Sequence, residues 1–135
     1  MMLMQIIEAT GARITGGSEY MWKCYGPNAR FLDFADQDQT ECASVVFDSK
    51  TQQVYQLEMH VPGYDQAFAW RNPAYESAYQ AECADRNVEP NVAWDDVMYE
   101  LVPEDIAMKY LRDIVGTYYD DLPVPEGKLE YADGQ

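Results

Sequence analysis

The sequence is short of basic residues. It holds 9 Lys and Arg against 24 Asp and Glu, so its 135 residues carry a formal net charge of −15. Small soluble domains typically carry a net charge of magnitude about 2 to 8. Because like charges repel, this excess disfavours direct binding to nucleic acid or to anionic membrane surfaces, and it favours cations and basic protein partners.

Cysteine and histidine are scarce, and they lack the spacing of metal sites and disulfide frameworks. Cys24, Cys42 and Cys83 lie far apart, no CxxC pair occurs, and His60 is the only histidine. A structural zinc site usually has about four ligands, with some of them closely spaced. The sequence therefore predicts no zinc site, and we interpret the cysteines as small buried apolar residues.

Long apolar runs are absent. Residues 1–8 are apolar, but they lack the basic start and the longer apolar stretch of a signal peptide. No run approaches the ~18 apolar residues that a membrane-spanning helix needs. We therefore predict a cytoplasmic protein without a membrane-spanning segment.

The familiar signatures of catalysis and of phosphate binding are missing as well. Neither G-x-S-x-G, which marks a nucleophile elbow, nor G-x-G-x-x-G, nor G-K-[ST] occurs. The nearest nucleophile arrangement pairs Cys42 with His60 across a hairpin, but acidic surroundings oppose the thiolate that it would need. Adjacent acids such as Asp95 and Asp96 seldom have the two different environments that acid–base catalysis requires, so we interpret them as solvated charge.

One acidic stretch begins like a calcium-binding loop. Asp36 and Asp38 place oxygens at positions one and three, but position six holds Glu41 instead of Gly and position twelve holds Phe47 instead of Glu. With Asp33 nearby, a weak divalent-cation site is the alternative interpretation. The preferred interpretation is a polar loop between strands, without a bound metal or other cofactor.

The composition is typical of one folded domain. Of the residues, 47% are hydrophobic and 13% are aromatic, and a chain of this length can bury a core without disulfides or metals. Strand patterns dominate the first half and helix patterns the second. We therefore predict a single α+β domain over residues 1–122, with an antiparallel sheet of about four to five strands packed against about two to three C-terminal helices. Residues 123–135 are predicted to form an extended or flexible acidic tail.

The first predicted hairpin joins two segments rich in aromatic residues. Residues 20–25 and residues 30–34 have the composition of strands. Residues 26–29, Gly-Pro-Asn-Ala, separate them and favour a turn, because Gly and Asn tolerate positive φ and Pro restricts its own φ. We interpret the aromatic side chains, Tyr20 and Trp22 among them, as core and sheet residues.

The second predicted hairpin contains a polar turn at residues 48–51. A run rich in Val and Phe precedes the turn, and residues 54–59 follow it with an alternating pattern. A period of two predicts that Tyr55, Leu57 and Met59 share one face of a half-buried strand.

Helix patterns appear in the second half of the chain. Asn72 and Pro73 form a start signal, and apolar residues recur at helical spacing over residues 74–86. Pro103, with two acids after it, opens a second and longer helix. Between these helices, the alternation over residues 97–101 favours a short strand.

The acidic excess is concentrated in the second half. Residues 1–62 hold 8 acids and 4 bases, a net charge of −4, whereas residues 63–135 hold 16 acids and 5 bases, a net charge of −11. Acids beside tyrosines would select a basic partner, since Tyr is enriched at interfaces. The ordinary interpretation of the cluster at residues 118–122 is a core residue, Tyr118, followed by a solvated helix end. The candidate partner-binding residues are Asp95, Asp96, Tyr119, Asp120 and Asp121, with Asp36 and Asp38 as a second acidic patch.

Three functions of different classes are open. The preferred hypothesis is a non-enzymatic, acidic protein-binding domain; its narrower form is an inhibitor that occupies the basic, nucleic-acid-binding surface of a partner, as small phage and mobile-element proteins do. The second is a small hydrolase-like enzyme that uses His60 and a nearby carboxylate, Asp33 or Glu58. The third is a self-associating structural or accessory domain, whose exposed hairpin edge pairs with a second copy as a homodimer.

Overall fold

The fold combines a mixed β-sheet with α-helices. The computed structural model describes residues 1–10, 12–14, 18–35, 41–60, 67–92, 98–118 and 129–131. Within these ranges the helices are α1 (Leu3–Thr10), α2 (Glu76–Asp85) and α3 (Glu104–Tyr118). The predicted α+β class is confirmed, and α1 is an addition to the predicted helices. No helix in the described ranges is long and apolar enough to cross a membrane.

The described residues contain eight strands. They are β1 (Ala12–Ile14), β2 (Ser18–Glu19), β3 (Ala29–Ala35), β4 (Glu41–Asp48), β5 (Val54–His60), β6 (Ala67–Arg71), β7 (Tyr99–Leu101) and β8 (Leu129–Tyr131). β2 to β7 form one six-stranded sheet in sequence order, one strand more than the prediction. Neighbouring strands in this sheet run antiparallel, except β6 and β7, which run parallel. β1 and β8 pair separately, so part of the predicted tail forms a strand.

One face of the six-stranded sheet packs against α1 and α3. The apolar spacing of these helices turns Ile6 and Leu111 towards the sheet, where both side chains are fully buried. Ile6 and Leu111 pack in one cluster with strand residues that include Val45, Leu57 and Met59. Leu57 and Met59 are two positions apart on β5 and therefore share a face. Because burying each large aliphatic side chain stabilises the fold by about 1.5–3 kcal/mol, this face forms the main hydrophobic core.

The other face of the sheet departs from simple alternation at β5. Val46 pairs with Gln56 while its neighbour Phe47 pairs with Val54, so a β-bulge leaves Tyr55 without an opposite residue. Tyr55 therefore packs on the second face, in a cluster separate from the main core. The prediction that Tyr55 shares a face with Leu57 and Met59 is wrong because the bulge shifts the alternation by one residue.

The first predicted hairpin is also wrong in its first strand. Residues 20–28 form turns and bends, and the strand that pairs with β3 is the short β2 before them. The backbone N–H groups of Lys23 and Cys24 donate to the carboxylate of Glu82 on α2, at 2.6–2.9 Å. A long-range acceptor thus replaces a sheet partner, which the composition of residues 20–25 cannot indicate.

The second predicted hairpin is confirmed by the pairing of β4 with β5. Asp48 begins the turn between them: its Oδ1 accepts from the N–H of Lys50 at 2.8 Å and from that of Thr51 at 2.9 Å. Its Oδ2 accepts from the hydroxyl of Tyr55 at 2.7 Å. These bonds satisfy the buried Asp48 carboxylate and tie the turn to the second face of the sheet.

The predicted helix starts and the short strand agree with the structure. Asn72 accepts from the N–H of Ala74 at 3.1 Å and caps a 3₁₀ turn, Pro73–Tyr75, which leads into α2. α3 starts directly after Pro103 with acids in its first turn. β7 falls within the segment that alternates in the sequence.

Candidate functional site

A cavity opens on the second face of the sheet, beside the segment of residues 20–28 and α2. Its volume is about 580 Å³, within the range of roughly 300–1,000 Å³ that is typical of ligand sites. Strands β3 to β5 supply Phe31, Ser44, Val46, Gln56 and Glu58. The other lining residues within the described ranges are Tyr20, Trp22, Tyr79, Val88, Glu89, Val92 and Tyr99. The cavity therefore lies between the sheet and the elements that only partly cover it.

Aromatic rings and carboxyl groups dominate the chemistry of this cavity. Five of the lining residues are aromatic, and the acids among them are Glu58 and Glu89. Among the described residues that line the cavity, none is Lys, Arg or His. Aromatic faces and carboxylates both attract positive charge, so the cavity complements a cation with an apolar body.

Glu58 lies at the centre of a hydrogen-bond network that crosses the sheet. The Gln56 side-chain amide donates to Oε1 of Glu58, and the Tyr99 hydroxyl donates to Oε2. The Tyr25 hydroxyl in turn donates to Oε1 of Gln56 at 2.7 Å. The network fixes the orientation of the half-buried Glu58 carboxyl group, which is the type of preorganisation that a binding site requires.

The tyrosine hydroxyls of the cavity are held in their neutral form. Burial, and then the nearby Glu58, raise the pKa of Tyr99 far above its usual range, and the same two causes raise the pKa of Tyr20. A neutral hydroxyl can donate a hydrogen bond, whereas a phenolate can only accept one. The raised pKa therefore keeps Tyr99 in the neutral form that donates to Glu58.

Two arginines support the aromatic walls of the cavity from the side. The guanidinium carbon of Arg71 lies 3.8 Å from the ring centroid of Tyr79, and that of Arg86 lies 4.7 Å from the ring of Trp22. The rings of Trp22 and Tyr79 stack on each other, with centroids 5.7 Å apart and planes 18° apart. Each such arginine–ring contact stabilises the position of its ring by about 0.5–2 kcal/mol.

Glu82 fixes the segment that carries Tyr20 and Trp22. It accepts from the backbone N–H groups of Lys23 and Cys24 and pairs with Arg86 at 2.8 Å. Burial would raise the pKa of Glu82, but the hydrogen bonds from the Lys23 N–H and from Arg86 outweigh it and hold the pKa below its usual value. The Glu82 carboxylate of α2 thus holds the backbone of this segment at Lys23 and Cys24.

Comparisons with models of known protein families, with curated proteins and with solved structures found no match. The site must therefore be interpreted from its own chemistry.

The predicted partner-binding residues do not belong to the part of the chain that the structure describes. Asp36, Asp38, Asp95, Asp96, Tyr119, Asp120 and Asp121 all lie outside the described residues. The calcium-loop alternative rests on Asp36 and Asp38, so it too lies outside the described residues. Within the described ranges, no group of three His, Cys, Asp or Glu side chains is arranged to hold a metal ion.

Of the residues in the enzyme hypothesis, the structure describes the side chain of Glu58 and only the backbone of His60 and Asp33. Glu58 lines the cavity. The backbone of His60 pairs with Ala67 at the end of β5, and that of Asp33 pairs with Ser44. The side chains of His60, Asp33 and Cys42 are outside what the structure describes. The hydrolase alternative and the Cys42–His60 pair therefore stay hypotheses.

Two signals in the sequence could have indicated the cavity. Gln56 and Glu58 are polar residues on a strand where Val54, Tyr55, Leu57 and Met59 are buried, which indicates a second face with polar partners. Tyr20 and Trp22 precede a positive-φ glycine, Gly26, at the tip of a turn. Their convergence on Tyr79 and Tyr99 depends on tertiary packing, and no local pattern predicts it.

Proposed function

We propose that this chain is a non-enzymatic binding domain for a positively charged partner, and that a basic group of the partner enters the cavity. The observation that carries the proposal is the cavity lining, in which Glu58 and Glu89 are combined with aromatic rings. The net charge of −15 attracts such a partner over a longer range and speeds its encounter.

The position of Glu58 supports a site rather than a diffuse acidic surface. Its side chain is half-buried and held by Gln56 and Tyr99, so it already has a fixed geometry before a ligand arrives. A carboxylate in partly apolar surroundings gains more from a cation than an exposed carboxylate does, because water screens the pair less. Exposed acids then contribute mainly to attraction and to its salt dependence.

A peptide library tests the proposal. Immobilised peptides of about 12 residues, with a central Arg, Lys, Glu or Ala and random flanks, are exposed to the protein at about 50 and about 300 mM salt. Glu58→Gln removes a charge inside the cavity. Glu100→Gln removes the same charge from an exposed position on β7 and serves as the matched control.

We expect peptides with central Arg or Lys to be enriched and Glu58→Gln to weaken their binding at least about tenfold. Glu100→Gln should change it less than about twofold, since exposed charges contribute little. Equal weakening by both variants, or no enrichment of basic peptides, would overturn the proposal. If Glu58→Gln does not fold, Glu89→Gln replaces it with a smaller expected loss of about two- to fivefold, because the Glu89 carboxylate lines the cavity but is exposed to water.

The narrower proposal is an inhibitor that covers a nucleic-acid-binding surface of its partner. It is supported only by the acidic charge of the chain, and it predicts that DNA competes with this protein for a basic partner. A cytoplasmic location belongs to the same proposal, supported by the free thiols of Cys24 and Cys83, which suit a reducing compartment.

Self-association through β7 is a second candidate function. β7 is the terminal strand in the order of the sheet. Met98, which precedes it, and Leu101, its last residue, are 52% and 48% exposed. An open edge with apolar neighbours can pair with a second copy. Light scattering would then give a dimer whose stability increases with salt, whereas a monomer at all salt concentrations would exclude it.

A further inference from the structure

We infer that the basic group recognised by the cavity is the guanidinium of an arginine side chain. This inference rests on the proposed function and names the chemistry of its ligand. Two arginines beside the cavity each combine a bond to a carboxylate with a contact to an aromatic ring.

The first arginine set is Arg71 with Glu76 and Tyr79. Nε and Nη2 of Arg71 donate to the two carboxylate oxygens of Glu76 at 2.8 and 3.0 Å. The guanidinium carbon of Arg71 lies over the ring of Tyr79, 3.8 Å from its centroid. A planar fork bound by a carboxylate in its plane and by an aromatic ring on its face is specific to arginine.

The second arginine set is Arg86 with Glu82 and Trp22. Nε of Arg86 donates to Oε2 of Glu82 at 2.8 Å, Nη2 donates to the carbonyl of Met21 at 3.1 Å, and the guanidinium carbon lies 4.7 Å from the Trp22 ring. Tyr79 and Trp22 both line the cavity. The chain therefore uses one arrangement twice, a carboxylate combined with an aromatic ring around a guanidinium.

The cavity contains the components of a third set. Glu58 supplies a carboxyl group, and Tyr20 and Tyr99 supply rings beside it. A guanidinium that entered here would meet a carboxylate and rings, as Arg71 and Arg86 do.

Arginine suits this cavity better than lysine for two reasons. A guanidinium is planar and less strongly hydrated than an ammonium, so it loses less on leaving water for a space lined by five aromatic residues. It can also bind both oxygens of one carboxylate and stack on a ring at the same time. The volume of about 580 Å³ accommodates the whole side chain and part of the adjoining backbone.

Titration calorimetry with three small amides tests the inference. The probes are the Nα-acetyl amides of arginine, of lysine and of citrulline, which has the shape of arginine without its charge. For ligands of this size we expect a dissociation constant on the order of 1 mM for the arginine amide. The citrulline amide should bind at least about tenfold more weakly and the lysine amide at least about threefold more weakly.

Two variants connect the measured affinity to the cavity. Glu58→Gln should weaken binding of the arginine amide at least about tenfold, and the control Glu100→Gln should leave it unchanged. Citrulline or lysine binding as well as arginine, or an unaffected Glu58→Gln, would overturn the inference. In that case enrichment of basic peptides that depends on Glu58 would still support the proposed function, so the two failures are distinguishable.

Discussion

The Tyr99 hydroxyl donates a hydrogen bond to Oε2 of Glu58 across an intervening strand. Tyr99 lies on β7 and Glu58 on β5, and β6 separates them in the sheet. The β6 residues paired with them are Ala67 and Ala69, whose small side chains leave room above the strand. This bond joins the edge of the sheet to the centre of the cavity.

Substituting Tyr99→Phe removes that bond and retains the ring. We expect the free energy of unfolding to fall by about 0.5–1.5 kcal/mol, because the variant loses one side-chain hydrogen bond of a partly buried carboxyl group. Tyr110→Phe is the matched control: its ring packs on Phe68 at a centroid distance of 4.8 Å, and its loss of a hydroxyl should cost less than about 0.5 kcal/mol. Urea denaturation of both variants measures the difference, and equal costs would contradict the role given to Tyr99.

Asp48→Ala removes the acceptor that organises the turn between β4 and β5. The buried Tyr55 hydroxyl and the N–H groups of Lys50 and Thr51 all lose their partner. We expect a loss of about 2–3 kcal/mol in the free energy of unfolding, since unsatisfied polar groups cost more than the bond itself. Asp85→Ala, at an exposed position near the end of α2, should change it by less than about 0.5 kcal/mol in the same urea titration.

The same Asp48 carboxylate makes stability depend on pH. The hydrogen bond from Tyr55 holds the pKa of Asp48 below its usual value, assisted by the N–H of Thr51. A lowered pKa stabilises the fold above the unfolded-state value of about 4, and this contribution is lost as pH falls through the lower folded-state value. The difference in unfolding free energy between the native protein and Asp48→Ala should therefore shrink as pH falls from about 7 to about 3. A difference that stays constant would show that Asp48 acts without its charge.

The carboxylate of Glu76 should also stabilise the fold near neutral pH and lose this effect in acid. The hydrogen bonds from Arg71 hold the pKa of Glu76 below its usual value, against the opposing effect of burial. Its contribution is therefore also present above about pH 4 and lost in acid. Glu76→Gln should lower the unfolding free energy of the protein near neutral pH and lose its effect in acid, as followed by thermal melts over the same pH range. A destabilisation that increases in acid would contradict this assignment.

Cys24 is predicted to be an unreactive thiol. Burial, and then the negative charge of Glu82, raise the pKa of Cys24 to about 12. At about pH 8 the thiolate should be roughly a thousandfold scarcer than in an unperturbed cysteine. Alkylation by iodoacetamide, followed at Cys24 by peptide mass spectrometry, should be correspondingly slower than that of glutathione. Glu82→Gln should accelerate it, and a rate like that of glutathione would contradict the raised pKa.

Much of the fold follows from local patterns. The cap at Asn72, the proline before α3 and the polar turn at Asp48 act through bonds within a few residues, so their effects are visible in the sequence. The α+β class follows from the order of the strand and helix patterns. These signals are local because capping and turn formation satisfy nearby backbone groups.

The parts that the sequence could not indicate depend on distant partners. Residues 20–25 have strand composition, but Glu82, 58 positions beyond Cys24, accepts the N–H groups that a strand would pair. The bulge at Tyr55 moves one ring to the other face of the sheet without any Gly or Pro to mark it. Tyr20 and Trp22 reach the cavity from the first of these segments, so its lining could not be assembled from periodicity. The acidic excess indicated the sign of the expected ligand and not the residues that would bind it.

The central claim is that a positively charged group binds in the cavity beside Glu58. An NMR titration of the native protein with Nα-acetylarginine amide tests it most directly. We predict saturable shifts of the Trp22 indole N–H and the Tyr20 and Tyr99 ring signals, which line the cavity, while Phe68 and Tyr110 on the other face of the sheet stay unchanged. Shifts spread over the exposed acids without saturation, or absent from the cavity residues, would contradict the claim.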